Sequence, residues 1–186
     1  TSYLHGGSGG GRQSMVEAQE YPEDYDGIWA SCPAINWSKF LPVGLWANAV
    51  MNSNNYIVPP SKVKFAMNEA QNTVGGKEKY YEYDKPLEFD YYTLVGKKVK
   101  NDIFTEIDAK VLTEIYGGPA RNGKRLWYFG RPGVLCYNVG IPIGAFWYTP
   151  IFHKPKPFFL STYYCRWVTK NPKQKFDKVT KDEFYN

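Results

Sequence analysis

The feature that most constrains this sequence is a run of glycines, GGSGGG, between an apolar segment and an amphipathic one. The preceding TSYLH is typical of the end of a buried strand, and the following GRQSMVEAQEY is rich in helix formers. Pro22 disfavours helix at the residue before it, so the helix should end near Tyr21. DYDGIWAS then indicates a turn and a short apolar strand. Residues 1–37 therefore predict a β-α-β unit, which implies a parallel sheet.

The glycine run itself fits more than one interpretation. A Gly/Ser tract is a common flexible spacer. The same letters satisfy G-x-S-x-G, with Ser8 between Gly6 and Gly10, which is the strand-to-helix turn that exposes a catalytic serine in α/β-hydrolases. A spacer needs neither a strand before it nor a helix after it, whereas this nucleophile elbow needs both. The β-α-β setting therefore favours the elbow over a spacer or an anion-binding loop.

Composition restricts the classes of partner. Hydrophobic residues make up 43% of the 186 residues and aromatic residues 18%, so the chain should fold. The net charge of +5 comes partly from basic segments at 97–100, 153–157 and 170–175. These segments indicate a solvated lysine surface rather than a nucleic-acid interface, although a polyanion-binding module is an alternative. No apolar run is long enough for a membrane span, and we expect no membrane partner.

Cysteines and histidines are too few and too scattered for a metal or disulfide framework. Cys32, Cys136 and Cys165 are odd in number and widely spaced, so buried thiols are expected. The histidines are His5 and His153, and no paired Cys/His spacing is present. We expect no metal and no cofactor.

A longer stretch, SYLHGGSGGGRQSMVEAQEYPEDYDGIWASCPAINW, closely resembles the nucleophile region of the tannase and feruloyl esterase family. The family pattern is a Gly-Cys-Ser-x-Gly-Gly-Arg turn, a helix ending Ala-Gln-x-Tyr-Pro-x-Asp-Phe/Tyr-Asp-Gly, and a strand leading to Ala-Pro-Ala-x-Asn. The matching positions are Gly6, Ser8, Gly10, Gly11 and Arg12, then Ala18, Gln19, Tyr21, Pro22, Asp24, Tyr25, Asp26 and Gly27, then Pro33, Ala34 and Asn36. Weaker likeness continues through residues 89–96, 105–119 and 123–129.

The resemblance implies an α/β fold, with part of an α/β-hydrolase core (strand, nucleophile elbow, helix, strand) in residues 1–60. Residues 61–186 would be an incomplete, mainly helical and loop-rich lid domain. The implied activity is hydrolysis of aromatic-acid esters, galloyl or feruloyl. Ser8 would be the nucleophile, the backbone N–H of Gly9 an oxyanion donor, and an Asp and a His would complete the triad.

Three departures from the family pattern matter. Gly7 occupies the position of a cysteine that is disulfide-bonded in the family, so that bond is absent. Residues 69–83, which correspond to the family's Asp-rich calcium loop, contain no Asp, and we expect no calcium site there. The triad Asp and His normally follow the lid, and this sequence is expected to be a fragment cut at both ends. His5 and His153 are disfavoured as replacements for the triad His, which acts as the general base.

On this basis the chain alone should be inactive or nearly so, and a complementary chain carrying the rest of the core is an expected partner. The alternative is a catalytically inactive or degenerate hydrolase that binds phenolic glycosides or a protein. The sequence leaves open the choice between galloyl and feruloyl esters, and the compartment.

Local signals predict several elements beyond residue 60. Ser61 is a candidate N-cap for a helix with an apolar face, Thr105 and Asp108 form a capping box, and Thr180 and Glu183 form another. Asn-Gly at 122–123 indicates a tight turn into an aromatic strand. Residues 131–164 are expected to be loops whose aromatic side chains could line a pocket for a phenolic acyl group.

Overall fold

A computed structural model describes residues 1–127, 130–134, 157 and 159–186. The chain forms two compact units, Thr1–Phe40 and Leu41–Asn186, called here the first and second units. This division falls twenty residues before the predicted boundary at residue 60. The assignment of residues 1–60 to a hydrolase core and 61–186 to a lid stays a prediction.

The elements follow one another in the order β1 (Tyr3–Gly7), α1 (Gly9–Glu20), β2 (Gly27–Ser31), α2 (Trp37–Phe40), a 3₁₀ helix (Pro42–Leu45), α3 (Trp46–Ser53), α4 (Pro60–Asn72), α5 (Lys77–Glu82), a second 3₁₀ helix (Tyr91–Leu94), β3 (Lys98–Val99), β4 (Asp102–Ile103), α6 (Glu106–Gly117), β5 (Ala120–Arg121), β6 (Lys124–Arg125), α7 (Phe159–Val168) and α8 (Lys181–Tyr185). No helix among the described residues is long and apolar enough to cross a membrane.

The first unit is the predicted β-α-β unit. β1 and β2 pair in parallel, with Tyr3 opposite Gly27 and Gly7 opposite Ser31. α1 crosses between them and ends at Glu20, two residues before Pro22, as the sequence indicates. The end of β1 and the start of α1 are therefore joined by a turn of one residue.

The second unit has a helical core formed mainly by α3, α4 and α6. Its interior contains apolar side chains that are almost completely buried, among them Val50, Val58, Val63, Leu94, Phe104, Val111, Leu112 and Ile115. α6 begins with the predicted capping box of Thr105 and Asp108. Val111, Leu112 and Ile115 of this helix pack inward.

An ionic cluster beside that capping box joins a buried lysine and a buried aspartate to a second, exposed aspartate. Lys62 Nζ lies 2.8 Å from Asp108 Oδ2 and 3.0 Å from Asp102 Oδ2, and the Lys62 and Asp108 side chains are 3% and 0% exposed. Tyr56 donates to Asp108 Oδ1 at 2.7 Å. The Thr105 backbone N–H and hydroxyl both donate to Oδ2. Asp108 thus caps α6 and neutralises a buried lysine.

The cluster shifts the pKa of its members in ways that follow from burial and charge. Burial and the hydrogen bond to Asp108 raise the pKa of Tyr56 to about 12. Burial alone would lower the pKa of Lys62, but hydrogen bonds to Asp108 and Asp102 outweigh it and raise that pKa. The hydrogen bond from Lys62 lowers the pKa of Asp102. Lys62 therefore stays charged despite its burial.

The segment around α8 covers α3. Trp46 packs edge-on against Phe184 and Tyr185, with ring centroids 5.3 and 5.9 Å away. Asn52 Nδ2 donates to the backbone carbonyls of Asp177 and Val179, at 3.1 and 2.8 Å. Residues far apart in the sequence thereby complete one core.

Several predicted details differ in the structure. The N-cap of α4 is Pro59 rather than Ser61, because Pro60 occupies the first helical position, where its missing N–H costs nothing. Cys32 is exposed, so the prediction of buried thiols is wrong for it, whereas Cys165 is half-buried and burial raises its pKa. Within the predicted loop region 131–164, α7 begins at Phe159.

The predicted Asn-Gly turn joins β5 and β6, with φ of 53° at Asn122 and 73° at Gly123. The strand after it is two residues long and ends at Arg125, before the aromatic residues. Cys136, His153 and most of the predicted aromatic pocket lie outside the described residues. The capping box of α8 is present as predicted.

Candidate active site

The turn between β1 and α1 has the backbone geometry of an elbow. Ser8 is the single residue between the strand and the helix, with φ 55° and ψ −113°. A residue other than glycine rarely adopts positive φ, and such strain persists only where the surroundings impose it. The Ser8 side chain makes no capping hydrogen bond to α1, and the residue is exposed. The strained turn therefore presents a hydroxyl at the surface of the first unit.

Three backbone hydrogen bonds hold Ser8 in this conformation. Its N–H donates to the Ser31 carbonyl at 3.1 Å, which continues the β1–β2 pairing by one residue. Its carbonyl accepts from Arg12 N–H at 3.1 Å and from Ala34 N–H at 2.9 Å. One acceptor therefore anchors the first turn of α1 and the loop after β2, and the peptide around Ser8 is fixed from both sides.

Two glycines permit the strand and helix to approach closely. A Cβ on Gly6 would lie 2.5 Å from Ser14 Oγ and closer still to the Gly10 carbonyl. A Cβ on Gly11 would lie 2.5 Å from the Ser31 carbonyl oxygen. Both distances are far below van der Waals contact, so a side chain at either position would push α1 away from the sheet.

The remaining glycines of the run have no such steric role. A Cβ on Gly7, Gly9 or Gly10 would meet no atom within 4 Å. Gly7 occupies the position where the family resemblance predicts a cysteine, and the surrounding space would admit a Cβ there. Glycine at position 7 is therefore not demanded by packing within the first unit.

The N-terminus of α1 is suited to stabilise a negative charge beside Ser8. Gly9 is the first helical residue, and the first N–H groups of a helix have no partner inside it. The first turn of α1 contains no acidic residue, and Arg12 adds a positive charge one turn along. The helix dipole and the free N–H groups act in the same direction at this end.

The structure does not bring His5 to Ser8. Gly6 faces α1, and side chains alternate along a strand, so His5 points to the opposite face of the sheet. Its Nε2 lies 3.1 Å from Ser31 Oγ, and its ring packs against Trp29 with centroids 5.0 Å apart. No histidine therefore accompanies Ser8 within the described residues, and His153 lies outside them.

Contacts among Arg12, Trp37 and Ala34, which the sequence did not predict, hold the loop after β2 beside the elbow. The Arg12 guanidinium lies 5.3 Å from the Trp37 ring centroid, over the ring. Trp37 Nε1 donates to the Ala34 carbonyl at 2.7 Å. The N–H of Ala34 is itself one of the two donors to Ser8, so Arg12 and Trp37 support the contact that fixes the turn.

The acidic turn after α1 is exposed to solvent. Glu23, Asp24 and Asp26 are exposed, and Asp26 binds the first residues of the chain by accepting from Ser2 N–H at 2.6 Å. Among the described residues, no group of three or more His, Cys, Asp or Glu side chains is arranged to hold a metal ion.

Comparison with known proteins agrees with this geometry. The family model described as "Tannase and feruloyl esterase" matches residues 1–79, which include the elbow and all of the first unit. Residues 1–79 are therefore similar to the tannase and feruloyl esterase family. The predicted family resemblance is thereby confirmed on the stretch that carries the Gly-rich turn.

Relatives in the tannase and feruloyl esterase family extend the likeness along the chain. A probable feruloyl esterase of Arthroderma benhamiae is 35% identical over 97% of this chain and 38% of its own length. Probable feruloyl esterase B of Aspergillus clavatus is 29% identical over 91% of this chain and 32% of its own. The chain thus spans about a third of the length of these relatives.

Solved structures show the same fold. A tannin acyl hydrolase from Aspergillus niger superposes with a TM-score of 0.67 at 19% identity, over 98% of this chain and 36% of the other. An esterase from Aspergillus oryzae gives a TM-score of 0.65 at 19% identity, over 100% of this chain and 37% of the other. The described residues therefore share the fold of about a third of each of these two solved chains.

Proposed function

We propose that Ser8 is the nucleophile of a carboxylic ester hydrolase that acts on esters of aromatic acids. The observation that carries the proposal is the backbone of Ser8, strained at positive φ between a strand and a helix N-terminus. Strain of this kind costs of order 1–3 kcal/mol and accumulates at functional sites. A glycine or asparagine would relieve it if the turn served only to connect β1 and α1.

The proposed substrate class comes from the relatives. Two of them are named as a probable feruloyl esterase and a probable feruloyl esterase B, and a structural neighbour is named as a tannin acyl hydrolase. Both names describe hydrolysis of an ester between an aromatic acid and an alcohol. We assign the same reaction class here, without choosing between galloyl and feruloyl esters.

In the proposed reaction, Ser8 Oγ attacks the ester carbonyl carbon while a histidine removes the hydroxyl proton. The carbonyl oxygen becomes an oxyanion and accepts a hydrogen bond from Gly9 N–H at the N-terminus of α1. Collapse of this intermediate breaks the bond to the alcohol oxygen, which receives the proton from the histidine. Water, deprotonated by the same histidine, then releases the aromatic acid and regenerates the Ser8 hydroxyl.

The histidine and its aspartate are proposed to lie outside the residues of this chain. His5 is occupied with Ser31 and faces away from α1, which argues against its acting on Ser8. The relatives are about three times as long as the stretch matched here, so their remaining length can carry both groups. On this proposal the first unit is part of an α/β-hydrolase core and much of the second unit is a lid.

Labelling with a fluorophosphonate, read by intact mass and peptide mapping, tests the role of Ser8. We expect the chain alone to remain unlabelled and the chain supplied with the complementary part of a family relative to be labelled on Ser8. Ser8→Ala should abolish the label, whereas Ser38→Ala, which removes an exposed serine of α2, should leave it unchanged. Labelling of the complemented protein at another serine would refute the assignment. A folded, complemented protein without any label would favour the non-catalytic alternative.

A further inference from the structure

A cleft in the second unit has the features of a binding site. The cleft, called here the Arg131 cleft, encloses about 650 Å³ and lies between residues 86–91, α6 and residues 130–132. Its lining is mainly apolar and includes Phe89, Tyr91, Thr113, Tyr116, Arg125 and Arg131. This volume is in the range of clefts that take small organic ligands.

Aromatic rings form one side of the Arg131 cleft. Phe89 and Tyr91 meet edge to face, with centroids 5.0 Å apart, and Tyr91 stacks on Tyr116 at 5.5 Å with an interplanar angle of 21°. Tyr116 also donates its hydroxyl to the Val134 carbonyl. Tyr91 and Tyr116 are buried members of the core, so this wall is rigid and does not need to be ordered when a ligand binds.

The Arg131 side chain is also fixed by its neighbours. The Arg131 guanidinium carbon lies 4.6 Å from the ring centroid of Tyr80 and 5.1 Å from that of Tyr83, and Nη2 donates to the Lys85 carbonyl at 3.2 Å. Its Nε–H is buried, so a ligand in the cleft would contact Arg131 at the terminal guanidinium nitrogens. A guanidinium prefers a carboxylate or phosphate as acceptor.

We propose that the Arg131 cleft binds a planar aromatic carboxylate. The apolar lining would accept the ring, and Arg131 would form a charge-assisted hydrogen bond with the carboxylate. Arg125 adds a second positive charge, which outweighs the single carboxylate of Glu88 in the lining. A strongly hydrated anion such as inorganic phosphate fits less well, because most of the lining cannot replace its water. The proposal does not depend on the chemistry of Ser8.

Titration calorimetry of the full chain with 4-hydroxycinnamate tests this site, with 4-hydroxycinnamyl alcohol as the neutral match. We expect saturable binding of the acid and at least about tenfold weaker binding of the alcohol, because the alcohol lacks the charge that pairs with Arg131. Lack of saturable binding by the folded chain at millimolar acid, or equal affinity for both compounds, would overturn the proposal. This comparison needs no variant.

Three variants then locate the binding. Thr113→Trp fills the cleft from an exposed position on α6, and Arg131→Gln removes the charge; each should weaken binding of the acid by about tenfold or more. Arg166→Gln is the matched control and should bind as the parent does. Arg166 also lies over a tyrosine ring, but its Nε already donates to the Gln174 carbonyl at 2.8 Å.

An unchanged affinity in Thr113→Trp would show that the acid binds elsewhere. This result holds even if Arg131→Gln fails to fold. Ser8→Ala should retain full affinity for 4-hydroxycinnamate while it loses the fluorophosphonate label. Failure of the ester hydrolase proposal and failure of the Arg131 cleft therefore give different results. Loss of affinity in Ser8→Ala would contradict the assignment of binding to the second unit.

Discussion

Replacement of Gly6 by alanine should disrupt the elbow, whereas replacement of its neighbour Gly7 should not. The new methyl group at position 6 would lie 2.5 Å from Ser14 Oγ and closer to the Gly10 carbonyl. Carbon contacts are optimal at about 3.5–4.0 Å, so the first turn of α1 would have to move by roughly 1 Å. The Gly10 carbonyl is backbone and cannot rotate away as a side chain could.

The expected magnitude follows from that geometry. Overpacking typically costs about 1–3 kcal/mol and more where backbone must move, so we expect Gly6→Ala to lower the free energy of unfolding of the first unit by about 3 kcal/mol. Gly7→Ala introduces a methyl group with no atom within 4 Å. Because glycine is about 0.5–1 kcal/mol less favourable than alanine within a strand, Gly7→Ala should be neutral or slightly stabilising.

Hydrogen exchange of the amides in β1, α1 and β2, read by mass spectrometry of the peptides, measures this difference within the first unit. A difference of 3 kcal/mol corresponds to about a hundredfold change in the opening equilibrium. The peptides of α3 and α6 provide an internal reference, because they belong to the second unit. Equal exchange protection in Gly6→Ala and Gly7→Ala would refute the close approach of strand and helix.

Two further predictions concern the buried ionic cluster of the second unit. Lys62→Met should lower the free energy of unfolding in urea by about 3–5 kcal/mol, because Asp108 would remain buried without its cation. The control Lys79→Met breaks an exposed ion pair with Glu82 and should change that free energy by less than about 0.5 kcal/mol. Equal effects of the two substitutions would contradict the burial of the Lys62–Asp108 pair. Tyr56 has a pKa of about 12 in the folded chain against 10.0 for a free phenol, so its stabilising contribution is complete below pH 10 and is lost as the pH rises from 10 to 12. Urea midpoints across this range should therefore fall more steeply for the parent chain than for Tyr56→Phe, and parallel profiles would argue against the hydrogen bond to Asp108.

The parts of the fold that could be predicted are those with local signals. Pro22 marks the end of α1, and Thr105 with Asp108 marks the start of α6, because a missing N–H and a reciprocal side-chain cap act within one turn. The parallel pairing of β1 and β2 followed from strand, helix and strand in succession. The elbow followed from the spacing of Gly6, Ser8 and Gly10.

The parts that could not be predicted depend on distant residues. α3 was missed because six of its eight residues are buried, Asn48 among them, so its polar residues do not mark a solvent-exposed face. The contact of Ala34 N–H with the Ser8 carbonyl joins two backbone groups and leaves no trace in residue type. The ion pair of Lys62 with Asp108 spans 46 positions, and neither residue type usually predicts burial.

The packing of α8 on α3 has a consequence for synthesis of the chain. Trp46 and Asn52 leave the ribosome about 130 residues before Phe184 and Val179, the residues that cover them. At ~5–20 residues per second this interval is on the order of 7–25 s. During that time the surface of α3 that α8 will cover, including Trp46, stays exposed. We therefore expect chaperones that shield apolar segments to bind the nascent second unit at α3.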